Sequence, residues 1–539
     1  MAYLYANSEY ITPMNQRDSI LHIQIVEANP CDLGTYPLHS FPFIYTLSSL
    51  VDLEKSGVSK VQRNPSLALF GQGVIVGIID TGIDYQHKAF LNQDGTSRIL
   101  SIWDQTIQDG LPPEEFTYGT EYTKEQINLA LKSDNPLSIV PSVDENGHGT
   151  AIASIAAGST DIENAFTGIA PSSDLIVVKL KEAKQNIRNI FFVPDGPICY
   201  QETDIILAIR YFHRMTSIIN RPIVICLALG SSQGGHDGNG DASAYISFIS
   251  NTPQFGIVVS AGNEGNNQRH FFGTVAANTF TKEFELKVSS NDKKFAFQIW
   301  SYAPARLTVE IITPTGESTR EIFARINECN KYTFIFEASA VWVNNVIIEE
   351  ESGDQMTMIR MENPTEGVWR IRVRNTENSV SSFHAWLPSG DLISNETFFL
   401  QSSPDTTITS PGNSINPMTV TAYNQNDNSI LIESGRGYTR INTIKPDFAA
   451  PGYNLACAAL NGGYGTATGT GAASAYTAGI VAMLLEWAAV RGNYRSITGI
   501  DIRSMLTRGA NRDDELVYPN NIWGYGKIDI NGVFEKLRI

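Results

Sequence analysis

Cysteine and basic residues are scarce in this chain of 539 residues. Lysine and arginine number 39 against 56 acidic residues, and this net charge of −17 disfavours nucleic acid and anionic membranes as partners. The cysteines are odd in number and include no CxxC pair, which argues against a disulfide framework and a zinc site. We expect buried, reduced thiols in a reducing compartment, at Cys31, Cys199, Cys226, Cys329 and Cys457.

Signals for secretion, membrane insertion and metal binding are also missing from the sequence pattern. Residues 1–17 contain no basic stretch followed by an apolar one, so we expect no secretory signal and a cytoplasmic location. Polar residues interrupt the most apolar helical stretch, residues 472–490, which predicts a core helix and not a membrane span. Histidines at ligand spacing and DxDxDG loops do not occur, so we expect neither a metal nor another cofactor.

What the sequence does contain is a series of apolar segments that alternate with helical patterns. Continuous apolar strands are predicted at residues 71–80, 174–180, 222–229 and 256–260. A helical pattern at residues 203–214 lies between two of them, with its apolar residues on one face. This alternation predicts an α/β fold, a parallel sheet with helices on both faces. Functional groups in such folds lie at the carboxyl ends of the strands.

The pattern changes near residue 268 and changes back near residue 404. Short alternating segments separated by turn signals predict a β-sandwich inserted into the α/β unit; they cover residues 284–288, 295–300, 307–312, 369–374 and 384–387. The length also favours more than one folding unit. We therefore predict an N-terminal segment, a first α/β part, a β-sandwich insert and a second α/β part, at residues 1–62, 63–267, 268–403 and 404–539.

Three short motifs place polar residues at the ends of predicted elements. Asp80 follows the first apolar strand, His148 opens a helix, and Asn263 follows a later strand. Taken singly, each motif is more typical of a turn or a helix cap. Their order along the chain, followed by Gly-Thr-X at the start of a long helix, is that of one class of Asp-His-Ser hydrolases.

With these motifs the sequence resembles the subtilisin-like serine proteases, the subtilase family. Residues 445–452 (KPDFAAPG) and 469–475 (GTGAASA) resemble the family's KPD-x-x-APG and G-T-S-x-A segments. The resemblance covers about residues 63–266 and 404–510. It implies a subtilisin-like fold with an extended peptide or protein as substrate.

The resemblance also implies roles for particular residues. Asp80 would orient His148, and His148 would act as the general base. The Asn263 amide would donate to the developing oxyanion. The strand Ala228-Leu229-Gly230 would pair with the main chain of the substrate.

The position of the family's serine nucleophile is occupied by Gly471. Glycine has no side chain with which to attack a carbonyl group. Ser474 lies about one helical turn further on, and we do not expect it to replace the missing hydroxyl. Two explanations stay open: a pseudoprotease with a regulatory or peptide-binding role, or an active serine endopeptidase whose serine has been replaced.

An insert at this place, without a recognisable secretion signal, resembles the clostridial germination proteases called Csp. That group implies a jelly-roll insert, a cytoplasmic or spore-associated location, and a cortex-hydrolase zymogen or a related Csp protein as partner. Some of its members are pseudoproteases that relay germinant signals. The 79 residues before Asp80 leave room for only a shortened or remnant propeptide. Trp300, Trp369 and Trp386 in the insert also suggest a carbohydrate-binding role, but core packing is the more frequent use of such residues.

Overall fold

The computed structural model describes residues 10–14, 19–23, 40–47, 56–277, 281–326, 328–377 and 379–537. Its first three strands come from the N-terminal segment and are β1 (Tyr10–Pro13), β2 (Ser19–His22) and β3 (Ile44–Leu47). The first two form an antiparallel ribbon, whereas β3 lies at the candidate site described below. The sequence of residues 48–56 also predicts part of a helix, but all of these residues except Ser56 lie outside the described ranges.

The first α/β part contains strands and helices in alternation. Its strands are β4 (Ile75–Asp80), β5 (Ile99–Asp104), β6 (Thr120–Thr123), β7 (Asp174–Lys179), β8 (Tyr200–Gln201), β9 (Ile223–Leu227), β10 (Leu229–Gly230) and β11 (Phe255–Ser260). Its helices are α1 (Val58–Arg63), α2 (Lys124–Leu131), α3 (His148–Ala157), α4 (Gln185–Ile190), α5 (Glu202–Ile219) and α6 (Asp241–Ile249).

The insert consists of antiparallel strands that form two sheets. The strands are β12 (His270–Val275), β13 (Thr281–Val288), β14 (Lys294–Ser301), β15 (Leu307–Ile312), β16 (Glu328–Thr333), β17 (Ala340–Val346), β18 (Met356–Glu362), β19 (Gly367–Asn375), β20 (Ser381–Trp386) and β21 (Phe398–Phe399). One sheet has the order β12-β20-β14-β18-β17-β16 and the other the order β15-β19-β13-β21. Apolar side chains from both sheets share one core, which makes the insert a two-sheet sandwich.

Tryptophans of the insert are buried. Trp300, Trp369 and Trp386 expose 3% or less of their surface. Their rings pack in the interior, so the structure offers no exposed tryptophan platform for a sugar at these positions.

The second α/β part completes the central sheet and adds its longest apolar helix. Its elements are β22 (Met418–Asn424), β23 (Ser429–Ile430), β24 (Phe448–Pro451), β25 (Leu455–Ala459), β26 (Gly463–Ala467), α7 (Thr470–Leu485), α8 (Gly499–Gly509) and α9 (Ile530–Leu537). Helix α7 packs against α3 and against strands β9, β11 and β22. Together with the turn that continues it to Val490, α7 is the one helix among the described residues that is apolar and long enough to cross a membrane. Its most apolar window, however, is 83% buried inside the protein.

The central sheet has the order β23-β22-β11-β9-β4-β7-β5-β6, with β24 beside β22. Neighbours from β22 to β5 along this order are parallel, as the apolar runs predict. Strand β4 contributes apolar side chains to a core on each face of this sheet. Val76 and Ile78 belong to the core on one face, whereas Ile75 and Ile79 belong to the core on the other. Asp80 ends this strand and lies at the carboxyl edge of the sheet.

The cysteines depart from the expectation of five reduced thiols. Cys199, Cys226 and Cys457 are free and buried. Cys329 is disulfide-bonded, and its partner lies outside the described residues. A disulfide requires Cα atoms within about 7 Å, a proximity that sequence spacing does not reveal.

Candidate functional site

Asp80 and His148 form a buried hydrogen-bonded pair at the carboxyl edge of the sheet. His148 is the first residue of α3, and its Nδ1 lies 2.7 Å from Oδ1 of Asp80. The backbone N–H of Thr81 donates to the same oxygen, also at 2.7 Å. A carboxylate that accepts a hydrogen bond from Nδ1–H fixes the tautomer of a neutral imidazole, so that Nε2 carries the lone pair.

The close approach of α3 to the end of β4 depends on Gly149. A Cβ atom at this position would clash with the carbonyl oxygen of Gly82. Without a side chain there, the helix lies against the turn after Asp80, and the Gly149 N–H donates to Oγ1 of Thr81 at 2.9 Å. The glycine after His148 therefore sets the spacing of the Asp80–His148 pair.

Asp144 connects the turn after Asp80 to helix α3, and the sequence motifs did not single it out. Its Oδ1 accepts from the Thr81 hydroxyl at 2.7 Å, and its Oδ2 accepts from the N–H and hydroxyl of Thr150 at 2.9 and 2.7 Å. The side chain is buried. An aspartate four residues before a helix start is a signal for such a connection, because its carboxylate can accept several backbone N–H groups there.

Asn263 follows β11 and contacts the N-terminus of α7. Its Oδ1 accepts from the backbone N–H of Thr470 at 3.1 Å and from the Thr470 hydroxyl at 3.0 Å. Because the carbonyl oxygen of the amide faces Thr470, its Nδ2 group is turned away from this residue. The amide is thus held in one orientation beside the cleft that Asn263 lines with His148.

Gly471 is the second residue of α7, directly after Thr470, and it is buried. Ser474 does not take its place. The Ser474 hydroxyl donates to the carbonyl oxygen of Gly471 and lies 3.6 Å from Sγ of Cys226 in the core. A helix serine bonded to the preceding turn in this way is a structural group.

Cys457 lines the cleft together with His148, and a cysteine thiol can act as a nucleophile. Burial raises the pKa of its thiol to about 11. The thiol is therefore protonated at neutral pH, and the thiolate that a cysteine nucleophile requires is rare.

The predicted substrate-pairing strand does form an antiparallel pair, but its partner is the N-terminal segment of the same chain. In this pair Leu229 lies opposite Leu47, and Gly230 opposite Thr46. The other edge of β3 pairs with β8. Strand β3 is therefore the middle strand of a three-stranded sheet, and Ala228 lies just beyond this pairing.

Side chains and backbone groups both anchor the segment around β3. Phe43 and Tyr45 are buried, with 6% and 0% of their surface exposed. The N–H of Phe43 donates to Oε2 of the buried Glu202 at 3.1 Å, and the N–H of Ile44 donates to Oε1 of Gln233 at 2.9 Å. These anchors make the segment part of the core as well as part of the sheet.

The cleft next to β3 has a volume of about 750 Å³ and is bordered by both folding units. His148 and Asn263 line it from the α/β part, and Gly390 and Asp391 from the insert. Within the described ranges, no three histidine, cysteine, aspartate or glutamate side chains lie close enough together to hold a metal ion.

The model of the subtilase family matches residues 71–282 and 393–526 of this chain. These residues make up most of the chain and leave out most of the insert. The chain belongs to the subtilase family. The solved structure of the CspB protease of Clostridium perfringens is similar to this subtilase with a TM-score of 0.79 and 30% identity. The match covers 89% of this chain and 96% of that one.

Two curated relatives match shorter regions of this subtilase. Subtilisin from Bacillus sp. (strain TA39) is 24% identical over 213 residues, 39% of each protein. The subtilisin-like protease SBT1.4 of Arabidopsis thaliana is 27% identical over 322 residues, 54% of this chain. The matched regions span only 39% and 37% of the lengths of these two relatives.

Proposed function

We propose that this subtilase is catalytically silent and acts by binding a peptide or protein, in a regulatory role. The observation that carries the proposal is the combination of Gly471 at the start of α7 with the Asp80–His148 pair and the oriented Asn263 amide. In our proposal His148 is the base and Asn263 the oxyanion donor of a site that has no hydroxyl to activate.

The size of the expected loss supports this proposal. Removing the serine of subtilisin, a relative in the same family, lowers kcat by about 2 × 10⁶. This corresponds to roughly 8–9 kcal/mol of transition-state stabilisation. A subtilase with glycine at this position would retain only the contribution of its oxyanion donor and of substrate binding.

The groove between β10 and β8, which strand β3 occupies, supports the binding part of the proposal. Strand β3 lies between β10 and β8 with main-chain pairing on both edges. This is the strand-addition mode by which extended peptides are recognised. We propose an extended segment of a protein as the class of partner.

The similarity to the CspB protease and the resemblance to the Csp group support a role in spore germination. In this role the partner would be a cortex-hydrolase zymogen or a related Csp protein, and the location would be cytoplasmic or spore-associated. Both partners are proteins, in agreement with the acidic net charge of −17.

A second candidate function is a serine endopeptidase whose serine has been replaced by glycine. The intact 2.7 Å contact between His148 and Asp80 favours it, because a site that binds only peptides has no need of this pair. The natural coding sequence separates the two candidates, since a serine codon at position 471 would end the pseudoprotease proposal.

The proposal is tested by comparing the unaltered chain with His148→Ala, with Gly471→Ser and with Gly471→Ser/His148→Ala. The measurements are labelling by a fluorophosphonate and hydrolysis of a mixed peptide library. We expect neither from the unaltered chain. Hydrolysis by the unaltered chain that disappears in His148→Ala would refute catalytic silence. Activity of Gly471→Ser that depends on His148 would assign the base role proposed for this residue.

A further inference from the structure

A second cavity, of about 690 Å³, lies between the insert and the second α/β part, and it shares no lining residue with the cleft beside His148. Strands β12 and β20 and the turn after β14 line it from the insert. Residues within 403–406 and 439–442 line it from the chain that follows. Cavities of about 300–1,000 Å³ are typical of small-molecule sites. The volume and the position therefore suit a small ligand that contacts both folding units.

The cavity lies at the edge of the larger sheet of the insert. Strand β12 is the end strand of that sheet, and its Phe272 lies opposite His384 of β20. Elsewhere on the same face, Trp300 and Trp386 pack into a core shared with the α/β part. Phe272 has no such cover, and 47% of its surface is exposed. Its ring is therefore available to a ligand in the cavity.

Aromatic rings surround Phe272 and form one wall of the cavity. The ring centroid of His384 lies 4.8 Å from that of Phe272 and 5.8 Å from that of Tyr302. The Tyr302 hydroxyl donates to the carbonyl oxygen of Arg440 at 2.9 Å and lies 2.9 Å from Nε2 of His384, which holds the ring in place. Aromatic faces attract cations as well as apolar groups, because the face of the ring carries partial negative charge.

Hydrogen bonds along this wall leave one buried acceptor without a partner. Because Tyr302 gives its proton to a carbonyl group, Nε2 of His384 donates to the Tyr302 oxygen. Nδ1 of His384 then accepts from Nε2 of His270, at 2.8 Å, and Nδ1 of His270 keeps a lone pair. His270 is 1% exposed, and this Nδ1 has no hydrogen-bond partner among the described residues. Buried polar groups are nearly always paired, so the atom favours a ligand with an N–H donor.

Main-chain acceptors lie near the same imidazole. Burial lowers the pKa of His270 to about 3, so the ring is uncharged at neutral pH. The carbonyl groups of Ser403 and Asp405 act on this pKa in the opposite direction, which places two further acceptors close to the ring. A positively charged donor would satisfy acceptors of both kinds.

The charges available to a ligand in this cavity are negative. Arg440 lines it, but its guanidinium is buried and already bound by Asp237 at 3.0 Å and by Asp354 at 2.5 Å. Asp405 and Glu377 also line the cavity, and neither forms an ion pair within the described part of the chain. The two carboxylates favour a positively charged ligand and disfavour an anion.

We propose that this cavity binds a small primary amine with an apolar body about the size of an aromatic ring. The ammonium group donates to Nδ1 of His270 and is attracted by Asp405 and Glu377. The apolar body packs on Phe272 and Tyr302. Such a ligand bridges the insert and the second α/β part, and its binding does not depend on the proposed peptide-binding function.

The first test uses the unaltered full chain and three probes of similar shape: 2-phenylethylamine, 2-phenylethanol and 3-phenylpropanoate. Ligand-observed NMR titration measures the dissociation constants. We expect the amine to bind at least about fivefold more tightly than the alcohol, and the carboxylate to bind most weakly. Added salt should weaken binding of the amine and leave that of the alcohol unchanged. Equal binding of amine and alcohol, a preference for the carboxylate, or no binding of the amine would each overturn the proposal.

Two variants place the ligand in this cavity. Asp405→Asn should weaken the amine about threefold and leave the alcohol unchanged; asparagine can still accept from Asn521, as Asp405 does at 2.8 Å. Phe272→Ala should weaken both probes about threefold to fivefold. Asp514→Asn and Phe323→Ala are the matched controls, because both residues are exposed and neither lines the cavity. Undiminished binding by both cavity variants, or an equal loss in the controls, would overturn the assignment.

A fourth probe distinguishes a free amine from a lysine side chain of a protein, which carries the same ammonium group. N-acetyl-lysine methylamide presents this group on a chain without a ring, and we expect it to bind more weakly than 2-phenylethylamine. Tighter binding of the lysine probe would overturn the small-molecule assignment in favour of a protein partner. None of these outcomes bears on the peptide-binding function, which concerns the groove beside His148.

Discussion

Thr46 lies directly opposite Gly230 in an antiparallel strand pair, although 184 residues separate them along the chain. The strand that the motifs assign to substrate binding is therefore covered by the chain's own N-terminal segment. Side chains on the same segment, Phe43 and Tyr45, are buried in the core of the α/β part. Any peptide partner must bind beside this strand or displace it.

We expect the N-terminal segment of the unaltered chain to remain uncut. Without a nucleophile at position 471, the bond beyond Leu47 cannot be attacked even though β3 lies in the groove. Intact-mass spectrometry of the recombinant protein measures this directly. Gly471→Ser should lose a fragment that ends shortly after Leu47, and Gly471→Ser/His148→Ala should not. A clean cut in the unaltered protein would contradict the prediction.

Phe43→Ala should destabilise the protein by about 3–5 kcal/mol, the usual cost of removing a buried phenylalanine ring. The ring packs against Gly234, and β3 would lose this anchor. Urea unfolding measures the change in the free energy of unfolding. Phe248→Ala is the control, because its ring is 62% exposed on α6 and its loss should cost no more than about 0.5 kcal/mol. Equal effects of the two variants would show that β3 is not anchored by Phe43.

Asp144→Ala should destabilise the protein by about 3 kcal/mol, because it leaves the buried hydroxyls of Thr81 and Thr150 without their acceptor. It should also broaden the NMR signal of the His148 Nδ1 proton, since the turn after Asp80 loses its connection to α3. Asp109→Ala, at an exposed loop position, serves as the control. An unchanged His148 signal in Asp144→Ala would mean that the Asp80–His148 pair holds its geometry alone.

Stability should fall as the pH decreases from 7 to 5, because two histidines of the insert are buried without charge. Nε2 of His270 lies 2.8 Å from Nδ1 of His384, and burial lowers the pKa of His270 to about 3 and that of His384 to about 2. In the unfolded chain both titrate near 6.5, so below that pH the unfolded state binds more protons. The expected loss is roughly 1.4 kcal/mol per pH unit for each histidine.

Urea unfolding at pH 7, 6 and 5 tests this dependence. We expect a loss of about 4 kcal/mol between pH 7 and 5 from the two histidines together. His384→Gln, whose amide can still bond to His270 and Tyr302, should reduce the slope by about 1.4 kcal/mol per pH unit. Parallel curves for the two proteins would show that His384 does not contribute.

Much of the α/β fold could be predicted from the sequence because its strands are buried on both faces. Strand β4 has six buried residues in a row, and such a run has few alternatives to a central parallel strand. The insert was harder to predict. Strand β16 has no fully buried residue, and its polar, partly exposed sequence gives no apolar alternation to detect.

The residues of the candidate site also differ in how far the sequence alone could predict them. Asp80, His148 and Asn263 could be picked out because each lies at or near the end of a strand or the start of a helix, and the order of these elements is a property of the sequence. Asp144 could not be picked out, because its importance comes from its contacts with Thr81 and Thr150 across the fold.

The sequence by itself determined the family and the glycine at position 471, because motif order and residue identity are local properties of the chain. Only the tertiary structure decided that β3 occupies the groove, that Cys329 is paired, and that Asp144 connects the turn after Asp80 to α3. These features depend on contacts between residues far apart in the chain. Such contacts form when burial and strand pairing offset the entropy of ordering the long segments between them, and no local pattern specifies that balance.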